Sequence, residues 1–371
     1  MTVHRPIPAS PASRHKTVVI ADDSALVRGL FARWLGEIGH FHVVAVAADG
    51  ETAVAHAIRY KPDVMVLDLD LPGDGGAAAL PQILRESPHT GILLSATLNE
   101  NSTRMALECM TQGAMDIVSK PDNRSGMTLS LEFRSEFLAK LGNLAQTAAK
   151  SDAASPGADP RQARLGPINL RPLVSAMPRY LVIGASTGGP RAVAKVLFDI
   201  GAGLSDLTVL IVQHMPPLFT ASFAEQVSGH IGVPAREPHD GERLMRGTIY
   251  VAPGGRHLGI DRRLGHIVAR IGDEPPVNFC RPAVDVLFGD AARHLGAAAL
   301  GLVLTGMGSD GTDGAGALRQ AGAAVLVQDE PSSTIWGMPG SVVRAGHASA
   351  VIPLDAIGVS IRSLVKGVQV A

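Results

Sequence analysis

Short blocks of consecutive apolar residues alternate along this chain with longer stretches whose apolar positions recur every three to four residues. Thr17–Ala21, Val43–Ala47, Val64–Leu67, Ile92–Leu94 and Ile117–Val118 predict buried strands, and Ala25–Ile38, Thr52–Tyr60, Ala77–Arg85 and Thr103–Thr111 predict the helices between them. Strands and helices in alternation imply parallel βαβ units, hence a doubly wound sheet. The five repeats occupy residues 16–125, the span of one compact domain.

A further helix is predicted from Met127 to Leu141, with Leu129, Phe133, Phe137, Leu138 and Leu141 on one face. Ala145–Pro178 then turns rich in Ala, Ser, Asp, Pro and Gly, and its first part, Ala145–Arg164, predicts a flexible linker. Residues 126–177 are accordingly helix and linker. Strand character returns at Tyr180–Ile183 and recurs at Thr208–Val212, Gly247–Val251, Ala298–Leu304 and Ala324–Val327, so a second parallel α/β domain is expected over residues 178–371.

Composition sharpens this picture. With 371 residues, 46% of them hydrophobic, the chain can bury a core in each of two domains. A formal net charge of -1 argues against a nucleic-acid partner. No apolar run reaches the roughly 18 residues that a membrane span needs, and the N-terminus lacks a signal peptide's apolar stretch, so a cytoplasmic protein without membrane insertion is expected. Cys109 and Cys280 lie far apart, with no histidine at a zinc-ligand spacing, which predicts reduced and mostly buried thiols.

Ligands of an open parallel sheet collect beyond the carboxyl ends of its strands. Asp22 and Asp23 follow the first strand and Asp68 the third, Ser95 ends the fourth, and Lys120 follows the fifth in Ser119-Lys120-Pro121. Converging carboxylates repel unless a cation lies among them, and a hard oxygen set suits Mg²⁺. Singly, Asp23 or Ser24 would also make a good helix cap. Taken together the residues resemble the receiver domain of response regulators, through Asp22-Asp23-Ser24, Asp68 with Pro72 and Gly76, Ser95, and Lys120-Pro121. The resemblance implies a flavodoxin-like fold with Asp68 as phosphoacceptor. It implies Mg²⁺ held at Asp22, Asp23, Asp68 and the Asp70 carbonyl, Lys120 on the phosphoryl oxygens and Ser95 as the moving hydroxyl. Two departures stand out: Asp74-Gly75-Gly76 replaces the usual Met-Asp-Gly, and Ile117 occupies the position of an aromatic switch residue.

In the second half, Tyr180–Ile183 runs into Gly184-Ala185-Ser186-Thr187-Gly188-Gly189-Pro190 and then the helical Arg191–Phe198. A serine at the tip of a glycine-flanked strand–helix turn suits a nucleophile, although the same turn would suit a bound phosphate. His214 follows the next strand in Gln213-His214-Met215-Pro216, and Asp310 lies in Thr305-Gly306-Met307-Gly308-Ser309-Asp310-Gly311. The last string also fits a dinucleotide fingerprint, a weak match taken alone. Three strand ends thus offer a nucleophile, a base and an acid to orient it. The order Ser, His, Asp departs from that of α/β-hydrolases.

IGASTGGP, QHMPP, YVAPGGRHL, FCRPAVDVLF, TGMGSDG and WGMP resemble the catalytic domain of chemotaxis protein-glutamate methylesterases, from about Pro178 onward. The resemblance implies a Rossmann-like three-layer domain with Ser186 as nucleophile, His214 as base, Asp310 as its orienting acid, and an oxyanion hole of backbone amides at Thr187 and Met307. It further implies phosphorylation-activated hydrolysis of glutamate methyl esters on chemoreceptors, with a histidine kinase as phosphodonor and with glutamine deamidation in some relatives. His257 and Arg281 are candidate lining residues, a structural role being favoured for His257, and no metal is expected in this half. A receiver-controlled binding protein, or a nucleotide-dependent enzyme using Gly306–Gly311, are the rival readings.

Overall fold

In a computed structural model, which describes residues 15–73, 75–97, 99–120, 131–152 and 177–367, the first five predicted strands pair in parallel. β1 (Lys16–Ala21), β2 (Phe41–Ala47), β3 (Val64–Asp68), β4 (Gly91–Thr97) and β5 (Asp116–Lys120) stand in the order β2-β1-β3-β4-β5. Successive side chains of a strand point to opposite faces. Val18, Ile20, Val64, Val66 and Leu93 therefore pack on α1 (Ala25–Ile38) and α5 (Leu131–Asp152), where the rings of Phe31 and Phe137 stack 4.3 Å apart. Val19, Met65, Leu67, Ile92 and Leu94 pack on α2 (Gly50–Tyr60), α3 (Gly75–Glu86) and α4 (Glu100–Gln112). Side chains of Ser24, Asp49 and Asn99 accept from amides at the starts of α1, α2 and α4, satisfying donors that a helix leaves open.

β4 and β5 extend past the runs expected for them because their last residues, Ser95, Thr97, Ser119 and Lys120, are polar. α5 also runs to Asp152, so Ala145 does not begin the flexible segment; Ala, Gln and Lys are good helix formers and continue the coil. The remaining linker residues 153–176, and 121–130 with Pro121, lie outside the described residues, as does Asp74.

The second domain is a seven-stranded parallel sheet in the order β14-β13-β12-β6-β7-β9-β8. Its strands are β6 (Tyr180–Ala185), β7 (Thr208–Gln213), β8 (Ala235–Arg236), β9 (Thr248–Val251), β12 (Ala299–Val303), β13 (Ala324–Gln328) and β14 (Ala350–Ile352). On one face lie α6 (Gly189–Ile200), α7 (Pro217–Ile231) and α11 (Leu354–Val365). On the other lie α8 (Val284–Leu295), α9 (Thr312–Gln320), α10 (Met338–Arg344) and an antiparallel hairpin, β10 (His257–Arg263) with β11 (His266–Gly272). The hairpin escaped the sequence reading because Asp261-Arg262-Arg263 breaks its apolar alternation. The domains touch through α4, which packs against α6 and α7. Among the described residues no helix is long and apolar enough to cross a membrane.

The stacked pair on the outer face of the first domain generates a stability test. Phe137→Ala removes a fully buried ring at a cost of about 3–5 kcal/mol. Urea unfolding followed by fluorescence of the neighbouring Trp34 should show a correspondingly lower midpoint.

Candidate active site

β6 lies at the centre of its sheet, between β12 and β7, where the strand order reverses direction. At such a switch point the helices leaving two neighbouring strands diverge and open a crevice. Three of the predicted residues converge on it. Ala185 and Gln213 are register partners at the ends of β6 and β7, so Ser186 and His214 leave adjacent strands at one level. The loop after β12 carries Asp310 across to His214, whose Nε2 lies 2.9 Å from Asp310 Oδ2.

Backbone bonds hold the serine turn rigidly. Ser186 N donates to Thr305 O at 3.0 Å, and Ser186 O accepts from Gln213 Nε2 at 2.9 Å. Gly188 adopts φ 75°, and a Cβ there would sit 2.3 Å from Thr334 Oγ1, so only glycine fits. Among the described residues, the amides of Thr187 and Met307 make no backbone hydrogen bond, which leaves both free to donate elsewhere.

Asp310 is 2% exposed, yet it accepts from Val284 N at 2.7 Å, Asp285 N at 3.1 Å and Gly311 N at 3.0 Å, with Asn278 Nδ2 at 3.3 Å. Burial alone would push its carboxyl up; His214 and these amides outweigh it and hold the group below the ordinary carboxylate range. His214 moves the opposite way. Burial opposes its charge, but Asp310 and then Cys280 raise the imidazole to about 9. The nitrogen left to face a reacting hydroxyl is Nδ1, which Cys280 Sγ approaches at 3.7 Å. The expectation of mostly buried thiols therefore holds for Cys109 and not for Cys280, which is half-buried at the site.

His257 is fully buried, with Nε2 3.2 Å from Pro275 O and Nδ1 accepting from Ala283 N, so it ties down the loop 275–283 as a structural residue. Arg281 is exposed and donates to the carbonyls of Asp273 and Glu274. The dinucleotide reading of Gly306–Gly311 is weakened because two of the loop's amides and its acid are already engaged. Gly306 N is bound to Ile335 O, Gly311 N is bound to the Asp310 carboxylate, and the loop's acid is engaged by His214.

The first domain brings its predicted cluster together as well. Asp22 and Asp68 are fully buried, and Lys120 Nζ reaches Asp68 Oδ2 at 2.5 Å and Asp22 Oδ2 at 2.9 Å. Oxygens of Asp22, Asp23 and Asp68 lie within 4.8 Å of one another, a hard-donor set that fits a divalent cation such as Mg²⁺. Burial, reinforced by Asp22 and opposed by Lys120, pushes Asp68 up to about 6. The Ser95 hydroxyl is buried with no partner, free to meet a new acceptor. Gly76 is required here, because a Cβ on it would lie 1.9 Å from Asp68 O.

The two sites are physically joined, and the first-domain side of the contact uses residues the sequence did not single out. Met115 O accepts from Gly188 N at 3.0 Å, and the Asp116 carboxylate accepts from the Thr187 hydroxyl. Asp116 is held in turn by Lys140 at 3.1 Å, which also donates to Ile117 O at 2.6 Å. Asn143 Nδ2 donates to Met307 Sδ. The β5 entrance and α5 of the first domain thus sit on the serine turn and on the loop that carries Met307.

The CheB methylesterase family matches residues 181–361, and the response regulator receiver domain family matches residues 18–132. A protein-glutamate methylesterase/protein-glutamine glutaminase of Rhodopseudomonas palustris (strain BisB5) is 38% identical over 374 residues, covering 97% of each chain. Another, of the group 2 operon of Bradyrhizobium diazoefficiens, is 36% identical and covers 94% of each chain. Among solved structures, the Thermotoga maritima CheB methylesterase catalytic domain aligns at 34% identity, over 51% of this chain and 100% of that one, with a TM-score of 0.49.

The His214–Asp310 contact makes a titration prediction. Because the imidazole is raised in the folded chain, its stabilising contribution is full below pH ~6.5 and is lost as pH rises through about 9. Imidazole proton shifts should place the His214 midpoint well above 6.5. Asp310→Asn should move it down, and an unmoved midpoint would show that the carboxylate does not control the ring.

Proposed function

This chain belongs to the protein-glutamate methylesterase/protein-glutamine glutaminase family, and on that footing we propose that Ser186, His214 and Asp310 hydrolyse glutamate methyl esters of chemoreceptors under the control of phosphorylation at Asp68. The observation that carries this reading is the His214–Asp310 contact at 2.9 Å beside the Ser186 turn, at the switch point of the second sheet. The reaction takes place in the cytoplasm, with methylated receptors as substrate and a histidine kinase as phosphodonor.

The chemistry is acyl transfer. The neutral form of His214, the minority form at neutral pH because the ring is raised to about 9, takes the Ser186 Oγ proton as Oγ attacks the ester carbonyl carbon, forming a tetrahedral oxyanion that the Thr187 and Met307 amides receive. Such preorganised donors are each worth about 3 kcal/mol to the transition state. His214 returns the proton to the departing methoxide, releasing methanol and leaving an acyl-serine. Water, deprotonated by His214, then frees the glutamate carboxylate and the serine. Asp310 fixes the ring orientation and stabilises the transient imidazolium. With a glutamine carboxamide the same steps release ammonia, which accounts for deamidation without a second site.

The receiver offers an ester no chemistry of its own. Asp22, Asp23, Asp68 and the Asp70 carbonyl would hold Mg²⁺, which when bound neutralises charge on the incoming phosphoryl oxygens. Asp68 takes the phosphoryl group, Lys120 pairs with its oxygens, and the unpartnered Ser95 hydroxyl turns toward it. Lys120 leaving Asp68 for the phosphoryl group shifts β5, whose entrance carries Met115 and Asp116. Unphosphorylated, these two residues occupy the Gly188 amide and the Thr187 hydroxyl beside the nucleophile, so phosphorylation acts by relieving a block.

Two tests follow. Ser186→Ala should lower methanol release from methylated receptor membranes by roughly four orders of magnitude with the fold intact. Near-normal release would remove Ser186 from its role. Asp116→Ala deletes a charge-assisted bond worth about 1.5–3 kcal/mol, so basal turnover without phosphodonor should rise roughly tenfold or more. Asp68→Asn should stay at the low basal rate whatever donor is added. A basal rate unchanged in Asp116→Ala would show that this contact does not restrain the enzyme.

A further inference from the structure

The segment between β11 and α8 contains a tight turn whose sequence and geometry disagree. Val277 and Cys280 bond reciprocally, Val277 N to Cys280 O at 3.1 Å and Cys280 N to Val277 O at 2.9 Å, which leaves a two-residue hairpin loop. Its central residues, Asn278 and Phe279, have φ 52° and 61°. A loop with both central residues at positive φ is the pattern for which Asn-Gly is the favoured pair. Asn278 is natural at the first position. Phe279 stands where glycine is preferred, and a bulky side chain in the left-handed region is a strained choice.

The ring gains nothing within the molecule to offset that strain. Phe279 is 104% exposed, as open as an aromatic residue can be. The turn is nonetheless fastened at the centre of the proposed site. Asn278 Nδ2 donates to Asp285 Oδ2 at 2.7 Å and reaches Asp310 Oδ1, while Cys280 Sγ touches the ring of His214. The residues on either side of Phe279 therefore each contact a member of the Ser–His–Asp set. Next along the chain, Arg281 presents an exposed guanidinium with no carboxylate bonded to it among the described residues. The receiver contacts the crevice at Thr187, Gly188 and Met307, and leaves Phe279 open.

We propose that Phe279 is a docking residue that binds an apolar side chain of the polypeptide flanking the esterified glutamate. The proposal rests on the methylesterase reading above. An esterified side chain entering the crevice brings its own backbone and neighbours onto the rim, and Phe279 is the large apolar group standing there. A strained, solvent-facing aromatic one residue from both the base and its orienting acid gives a protein substrate a contact that a small ester cannot use. It thus sets specificity for protein-borne esters and acts on substrate capture rather than on bond making.

The full-length chain, activated with a small-molecule phosphodonor, tests this on two substrates: methylated receptor membranes and a blocked glutamate γ-methyl ester. Phe279→Gly should raise KM for the membranes about tenfold or more, with kcat held within roughly twofold. The loss in kcat/KM on membranes should exceed that on the small ester by at least about tenfold. The same substitution should leave thermal stability equal or higher, because glycine suits the turn. Phe279→Leu should recover part of the membrane KM. Equal losses on the two substrates, or a wild-type KM for Phe279→Gly on membranes, would overturn the docking role. A wild-type chain inert on both substrates would bring down the methylesterase reading, and this proposal with it.

Discussion

Parallel strands joined by crossover helices must all end on the same edge of their sheet, and the receiver's acidic cluster, Ser186 and His214 stand on such edges. In the receiver, Asp22, Asp68, Ser95 and Lys120 come from strands separated by up to a hundred residues and still meet within hydrogen-bonding range or close to it. In the catalytic domain the same constraint aligns Ser186 beside His214 through the pairing of Ala185 with Gln213. Asp310 is the exception that needs a loop, since it lies beyond the end of β12 and must be carried back. The glycines around it serve that return.

Two buried carboxylates show how a shared environment is turned to different ends. Asp68 and Asp310 both lose almost all contact with solvent, which by itself disfavours their charge. Asp310 is compensated by amides of Val284, Asp285 and Gly311 and by His214, so it stays ionised and fixed in place. Asp68 has Lys120 and the Asp70 amide, but it faces Asp22, and its pKa rises to about 6. One carboxylate is committed to orienting a partner. The other is left under-compensated, which suits the phosphoacceptor role proposed for it.

The architecture was legible because buried parallel strands are written as apolar blocks, and the two constellations because their residues fall directly after those blocks. Legibility failed where the signal was of another kind. The hairpin of β10 and β11 carries charged outer positions and lacks the periodicity of its neighbours. The end of α5 was hidden by an Ala-rich composition shared by linkers and helices. Asp116 and Lys140 gave no warning, since a contact between domains has no sequence spacing. Cys280 was dismissed because no histidine stands at a zinc-ligand spacing from it, yet the fold sets it against His214. Sequence locates the groups that chemistry requires at strand ends. It is silent on which surfaces meet.

The block on the serine turn is built from two bonds of different kinds. The bond from Gly188 N to Met115 O is made by main-chain atoms, and Gly188 itself cannot be exchanged without clashing with Thr334. No side-chain substitution at residue 115 deletes that acceptor. The bond from Thr187 to Asp116 belongs to a side chain on the receiver, and a single codon change removes it or lengthens it. The proposed restraint is thus one adjustable contact laid over a fixed one. Selection for faster or slower adaptation would be expected to accumulate changes at residue 116 and its Lys140 support while the backbone contact persists.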